Sequence, residues 1–133
     1  MSRSSLEAFS TLWRAYGEGR LERALDLIDP DCEFTLPDGE RAFRGHDGVR
    51  EWLAASRRDW KTLTITYDDV HEEGPGCVVG VGHVAASAAA DGVQIERPLA
   101  FVAEFRGGRL VRGRVFRDGD DALRYARERP PRT

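Results

Sequence analysis

The chain has 133 residues, 41% of them hydrophobic and 32% charged, enough to bury one core and too few for two comfortable ones. Its net charge of −3, from 20 basic and 23 acidic residues, offers no single-sign field to draw in nucleic acid or an anionic membrane. No run approaches the ~18 apolar residues of a membrane span, and MSRSSLEAF lacks the apolar stretch of a secretory leader, so one cytoplasmic domain over residues 1–133 is expected.

Near the N-terminus, Leu6, Phe9, Trp13 and Tyr16 recur at helical spacing. Ser4 and Glu7 have the spacing of a capping box, and Gly17 and Gly19 end the helix. A shorter helix follows, with Leu21, Ala24, Leu25 and Ile28 along one side and Asp29-Pro30 as its stop. Glu33 to Leu36 and Arg41 to Arg44 flank the turn-forming Pro-Asp-Gly-Glu and read as a small hairpin. After Gly45 a third helix is predicted from about Asp47, a good N-cap residue, to about Arg58, with Val49, Trp52, Leu53 and Ser56 inward.

The periodicity then changes to two. Thr62 to Val70, Cys77 to Ser87, Ile95 to Phe105 and Arg109 to Asp118 read as strands, the last two joined tightly through Gly107-Gly108. Asp120 to Arg127 adds a short helical tail, residues 129–133 should fray, and the core should occupy about 5–126. The order implies an α+β fold in which a curved antiparallel sheet wraps three N-terminal helices and leaves a hollow at one end.

Cys32 and Cys77 are too few and too far apart for a disulfide framework or a zinc knuckle, and read as small buried hydrophobes. His46, His71 and His83 are scattered, with no paired spacing that suggests a metal. No metal and no cofactor is expected.

Three phrases then take on a combined meaning: Tyr16-Gly-Glu-Gly-Arg-Leu with Leu27-Ile-Asp-Pro-Asp-Cys-Glu-Phe34, Phe43-Arg-Gly-His-Asp-Gly-Val-Arg-Glu-Trp52, and Gly108-Arg-Leu-Val-Arg-Gly-Arg-Val-Phe-Arg-Asp118. In this order they resemble the nuclear transport factor 2-like superfamily, and within it the SnoaL-like group. The resemblance implies a cone-shaped, cystatin-like fold. It implies no single activity, because that superfamily holds isomerases, cyclases, hydrolases, dehydratases and non-catalytic modules. The positions where its ketosteroid isomerases carry their proton-transfer and donor groups correspond here to Leu36, Leu12 and Phe101. The last-strand acid of its epoxide hydrolases and cyclases corresponds to Val115.

Strand alternation suggests which side chains face the hollow. With Phe101 inward, Leu99, Ala103, Gly113, Val115 and Arg117 follow, and on the middle strand Val79, Val81, His83, Ala85 and Ser87. Trp13, Tyr16, Phe34 and Trp52 complete an aromatic-lined cavity, in which Trp13, Phe34, Trp52, Val81, Phe101 and Val115 are the expected ligand contacts. His83 is the candidate acid or base, Arg117 a candidate anion ligand, and Tyr16 a candidate carbonyl donor. On the other face Glu104, Arg112, Arg114 and Phe116 alternate outward beside Val102, and a homodimer through this face is expected. Three functional readings stand at this point. One is an isomerase, cyclase or hydratase acting on an apolar carbonyl-containing ligand; the second is a non-catalytic module that binds a hydrophobic ligand or dimerises. The third, which the small residues Ala85, Ala86, Ala88, Ala89 and Ala90 speak against, is a structural remnant whose cavity is filled by its own side chains.

Overall fold

Apolar side chains recurring every three or four residues give the first helix, α1 (Ser5–Gly17), a face on which Ala8, Phe9, Leu12 and Ala15 are buried. A computed structural model describes residues 5–17, 20–36 and 42–128. The Ser4 cap, Gly19, the Pro37-to-Glu40 turn, Arg41 and the 129–133 tail lie outside the described residues.

α2 (Leu21–Asp26) is one residue-pair shorter than the apolar pattern suggested. Ile28, expected on its inner face, instead begins β1 (Ile28–Thr35) and pairs with Leu110. Asp29-Pro30 therefore sits inside a strand. Proline has no N–H to give to a ladder, and the pairing of β1 is irregular between Ile28 and Glu33. β2 (Ala42–Arg44) pairs antiparallel with β1, and α3 (Gly45–Asp59) starts at once, two residues ahead of the expected cap at Asp47. A ring nitrogen of His46 donates to the Ile28 carbonyl at 2.7 Å, tying this helix start to β1.

Four long strands complete the sheet: β3 (Trp60–Glu72), β4 (Cys77–Ala88), β5 (Gln94–Arg106) and β6 (Arg109–Phe116). Gly107 and Gly108, with φ of +61° and +79°, make the two-residue turn between the last two, a conformation that costs glycine least. The expected separate hairpin and four-stranded meander are in fact one sheet, in the order β2-β1-β6-β5-β4-β3. β1 joins it parallel to β6, through Phe34 opposite Gly113. The Leu110 N–H donates to the Leu27 carbonyl at 2.8 Å where that seam begins.

The inner face carries the larger core: Phe9, Leu12 and Ala15 of α1, Ala24 and Leu25 of α2, and Val78, Phe101, Ala103 and Leu110 of the sheet. Cys32 and Cys77 are free thiols, 1% and 0% exposed, as small core residues. The outer face is covered by α4 (Gly119–Glu128), which is more than a tail. Asp118 caps it by accepting from the Asp121 N–H at 2.8 Å. Its Ala122 and Ala126 close a second core over Cys77, Val79, Ala100 and Val102.

The two-sided core decides a register that alternation misassigned. Phe101 stands opposite Val115 on β6 and Gly80 on β4, so its face continues through Val78, Gly80 and Gly82. Val79, Val81, His83, Ala85 and Ser87, expected inward, occupy the other face. A shift of one residue reverses every side chain of a strand.

Candidate functional site

Between the helices and the inner face lies a cavity of about 60 Å³. Trp13 and Tyr16 reach it from α1 because they sit three positions apart, on one helical face. Trp52 reaches it from α3, Phe34 from β1 and Phe101 from β5. The remaining described lining is aliphatic, apart from the Cys32 thiol. Burial pushes that thiol up to about 12, with Asp29 and Glu33 adding to the rise, so it stays protonated.

The rings pack edge to face and offset, the arrangements their quadrupoles favour. Trp13 meets Tyr16 at 5.2 Å, Tyr67 at 5.4 Å and Phe101 at 5.7 Å between centroids. Tyr16 stacks on Trp52 at 6.1 Å, both partly exposed, and Phe34 lies 5.3 Å from Trp52.

Five of the nine nominated side chains therefore line the cavity: Tyr16, Trp13, Phe34, Trp52 and Phe101. Val115 is buried on the same face, directly across from Phe101, but outside the lining. Leu36 packs against the inner core, as Leu12 does within it. The other three require correction. Val81 lies on the outer face, against the second core and near Gly119 at the start of α4. His83 shares that face, opposite Thr66 and Pro98, with its Nδ1 3.6 Å from an Asp68 carboxylate oxygen and 37% of its side chain exposed. Arg117 falls after β6 ends, exposed in the bend that leads to α4. Neither His83 nor Arg117 reaches the cavity.

Sequence reasoning passed over Tyr67. It alternates with exposed Thr64 and Thr66 on β3, a pattern that announces a half-buried strand but not a site. Its ring lies across Gly80, where an added Cβ would come 2.8 Å from Cδ1, and against Phe9 at 5.3 Å. Its hydroxyl and the Trp13 Nε1–H are both buried with no hydrogen-bond partner. Leaving such a group unpaired costs roughly 1–3 kcal/mol. Burial drives the Tyr67 phenol far above its usual range, the neighbouring Tyr16 contributing, so it remains a donor.

The outer face carries the residues expected to meet a second copy. Glu104 is 4% exposed, with Arg112 3.7 Å from its carboxylate. The Arg114 guanidinium sits 5.4 Å from the Phe116 ring and 5.0 Å from Tyr125 of α4. The four residues nominated for contact with a second copy thus all meet partners within the chain. A concavity of about 300 Å³ on α4, among Asp120, Arg124 and Arg127, is an open surface of one helix. Among the described residues no cluster of His, Cys, Asp or Glu has metal-binding geometry, and no helix is long and apolar enough to cross a membrane.

The model of the SnoaL-like domain matches residues 7–113. No curated protein matches the sequence. Among solved structures, an NTF2-like protein from Burkholderia thailandensis is 22% identical over 96% of this chain and 99% of its own, with a TM-score of 0.79. TerC, co-crystallised with polyporic acid, is 20% identical over 94% and 98%, with a TM-score of 0.76. A protein of ketosteroid isomerase-like fold from Catenulispora acidiphila, in complex with trimethylamine, is 13% identical over 94% and 98%, with a TM-score of 0.73. At these identities the likeness establishes the fold alone.

Proposed function

Because the chain belongs to the SnoaL-like domain family, we propose that it binds a compact, largely apolar ring in the cavity between its helices and sheet, without a proton-transfer pair of its own. The observation that carries this reading is the wall: every described lining residue is aliphatic, aromatic or a neutral thiol. Such a surface favours transfer of an apolar ring from water by about 25 cal/mol per Å² buried. The isomerase, cyclase or hydratase reading needs an acid and a base on that wall. Tyr16 is the one member of the proposed catalytic set that stands there, and the described lining holds no carboxylate or imidazole.

Size narrows the occupant. An apolar cavity of about 150 Å³ accommodates benzene, whereas this one is about 60 Å³. A single ring therefore enters by displacing the partly exposed Tyr16 and Trp52 at its edge, and a polycyclic ligand demands far more rearrangement.

Ala24 supplies the test, since it lines the cavity and is 4% exposed. Titration with single-ring probes, followed by the fluorescence of Trp13 and Trp52, should saturate in the wild type. In Ala24→Leu, which fills the space with a side chain of its own, binding should be lost while the fold persists. Equal affinity in the two proteins, or no binding by any such probe, overturns the reading.

A further inference from the structure

Two donors stand beside this apolar cavity with nothing to receive them. Trp13 lines the cavity directly. Tyr67 is held against Trp13 at 5.4 Å and belongs to the same aromatic cluster as Phe9, which meets both rings. Tyr16, the other cavity ring on α1, is near enough to Tyr67 to oppose its ionisation. The Trp13 Nε1–H and the Tyr67 hydroxyl are each buried and unpartnered. A buried network that leaves donors unsatisfied is a poor structural device, since apolar side chains of the same shape would fill the space without that penalty. Donors poised in this way gain most from an acceptor that arrives with a ligand.

We infer that Trp13 Nε1–H and Tyr67 Oη–H form a two-point donor subsite for a neutral oxygen acceptor, so that the cavity takes a single-ring ketone, aldehyde or ether in preference to the matching hydrocarbon. The inference rests on the apolar-pocket reading above and adds the functional group. The acceptor is neutral because no cationic side chain is present among the described lining residues to compensate a carboxylate. Neither side chain transfers a proton: an indole N–H is donor only, and the buried phenol is held protonated. The subsite orients the ring and discriminates against ligands that lack the oxygen.

Acetophenone and α-methylstyrene differ by C=O against C=CH₂ at nearly constant shape, and are the probes. Each is titrated into wild type and Tyr67→Phe, with affinity read by calorimetry and the Trp13 indole N–H followed in ¹H–¹⁵N spectra. The chain has three tryptophans, and the Trp13 signal is assigned from the spectrum of Trp13→Phe. The expected result is a preference of about tenfold to a hundredfold for the ketone in wild type, about threefold to tenfold from each of two ordinary hydrogen bonds. That preference should fall by about threefold to tenfold in Tyr67→Phe, where the Trp13 donor remains, and the Trp13 N–H should move downfield with the ketone alone. Tyr67→Phe should fold normally, since the hydroxyl it removes has no partner.

Equal binding of both probes, with the Trp13 signal unmoved, overturns the donor subsite while leaving the apolar pocket intact. It would mean that the indole N–H is satisfied by a neighbouring ring face. A ketone preference undiminished in Tyr67→Phe overturns the pairing of the two donors. Failure of both probes to perturb any cavity residue overturns the pocket itself.

Discussion

A single methyl group added beneath Tyr67 tests how the aromatic cluster is seated on the sheet. Gly80→Ala places its Cβ 2.8 Å from Tyr67 Cδ1, 2.9 Å from Cε1 and 3.1 Å from Phe9 Cζ. All three separations fall short of the ~3.5–4.0 Å optimum between carbon atoms. The ring has little room to retreat, since Phe9 and Trp13 hold it at 5.3 and 5.4 Å between centroids. Overpacking of this kind costs about 1–3 kcal/mol, and replacing glycine in a strand returns roughly 0.5–1 kcal/mol of backbone entropy. The net expectation is a loss of about 1–2 kcal/mol, read as a lower urea midpoint at unchanged slope. In a Tyr67→Ala background the methyl enters space the ring has left, so the same substitution should become neutral or slightly stabilising. The double-mutant cycle should then report a coupling of about 2 kcal/mol. If the two substitutions add to within about 0.5 kcal/mol, the ring does not lie over Gly80, and the register that puts Gly80 opposite Phe101 is wrong.

Cys32, held at about 12 by burial and by Asp29 and Glu33, should label with an alkylating agent at pH 8 only as fast as the fold opens. A thiol raised in the folded state from its ordinary 9.0 contributes stability that is intact below pH 9 and lost as pH climbs toward 12; labelling at the rate of a free peptide thiol would refute its burial. Glu73 shifts the other way, because the Arg127 guanidinium hydrogen-bonds it at 2.9 Å and His71 stands 3.3 Å away. The contribution of a carboxyl lowered in this way is present above its ordinary 4.5 and lost as pH falls through the folded value. Amide protection in the last turn of α4 should therefore weaken on acidification in wild type and much less in Glu73→Gln, and equal pH dependence in the two would show that this pair does not anchor the helix.

Much of the fold was legible because local signals agreed with the tertiary structure. The Phe9, Trp13 and Tyr16 spacing on α1 and the alternation along β3 belong to elements with one buried face, and Gly107-Gly108 supplies the positive φ that its turn needs. The boundaries that failed are those at which a distant strand overrode the local signal. Ile28 continues the apolar pattern of Leu21, Ala24 and Leu25, yet it leaves the helix because Leu110, more than eighty positions away, offers it a place in the sheet. The parallel seam between β1 and β6 is invisible for the same reason, as no turn of short length announces it.

The misplacement of Val81 and His83 and the oversight of Tyr67 have one physical origin. β4 is covered on both sides, by α1 within and α4 without, so Val78, Val79 and Val81 are apolar without alternation and carry no parity. What does carry parity is the glycine pair. Gly80 and Gly82 are glycine because Tyr67 and the backbone beside it press against that face: a Cβ at Gly80 would meet the Tyr67 ring, and one at Gly82 would run into the Thr66 carbonyl and the Tyr67 Cα. A glycine inside an otherwise apolar strand marks the side on which something approaches closely. Here that side holds the aromatic cluster beside the cavity, and His83, next to Gly82, must point away from it. The hole left by Gly80 and the ring that fills it are the two halves of one contact, which holds the Tyr67 ring against Trp13 and leaves its hydroxyl buried.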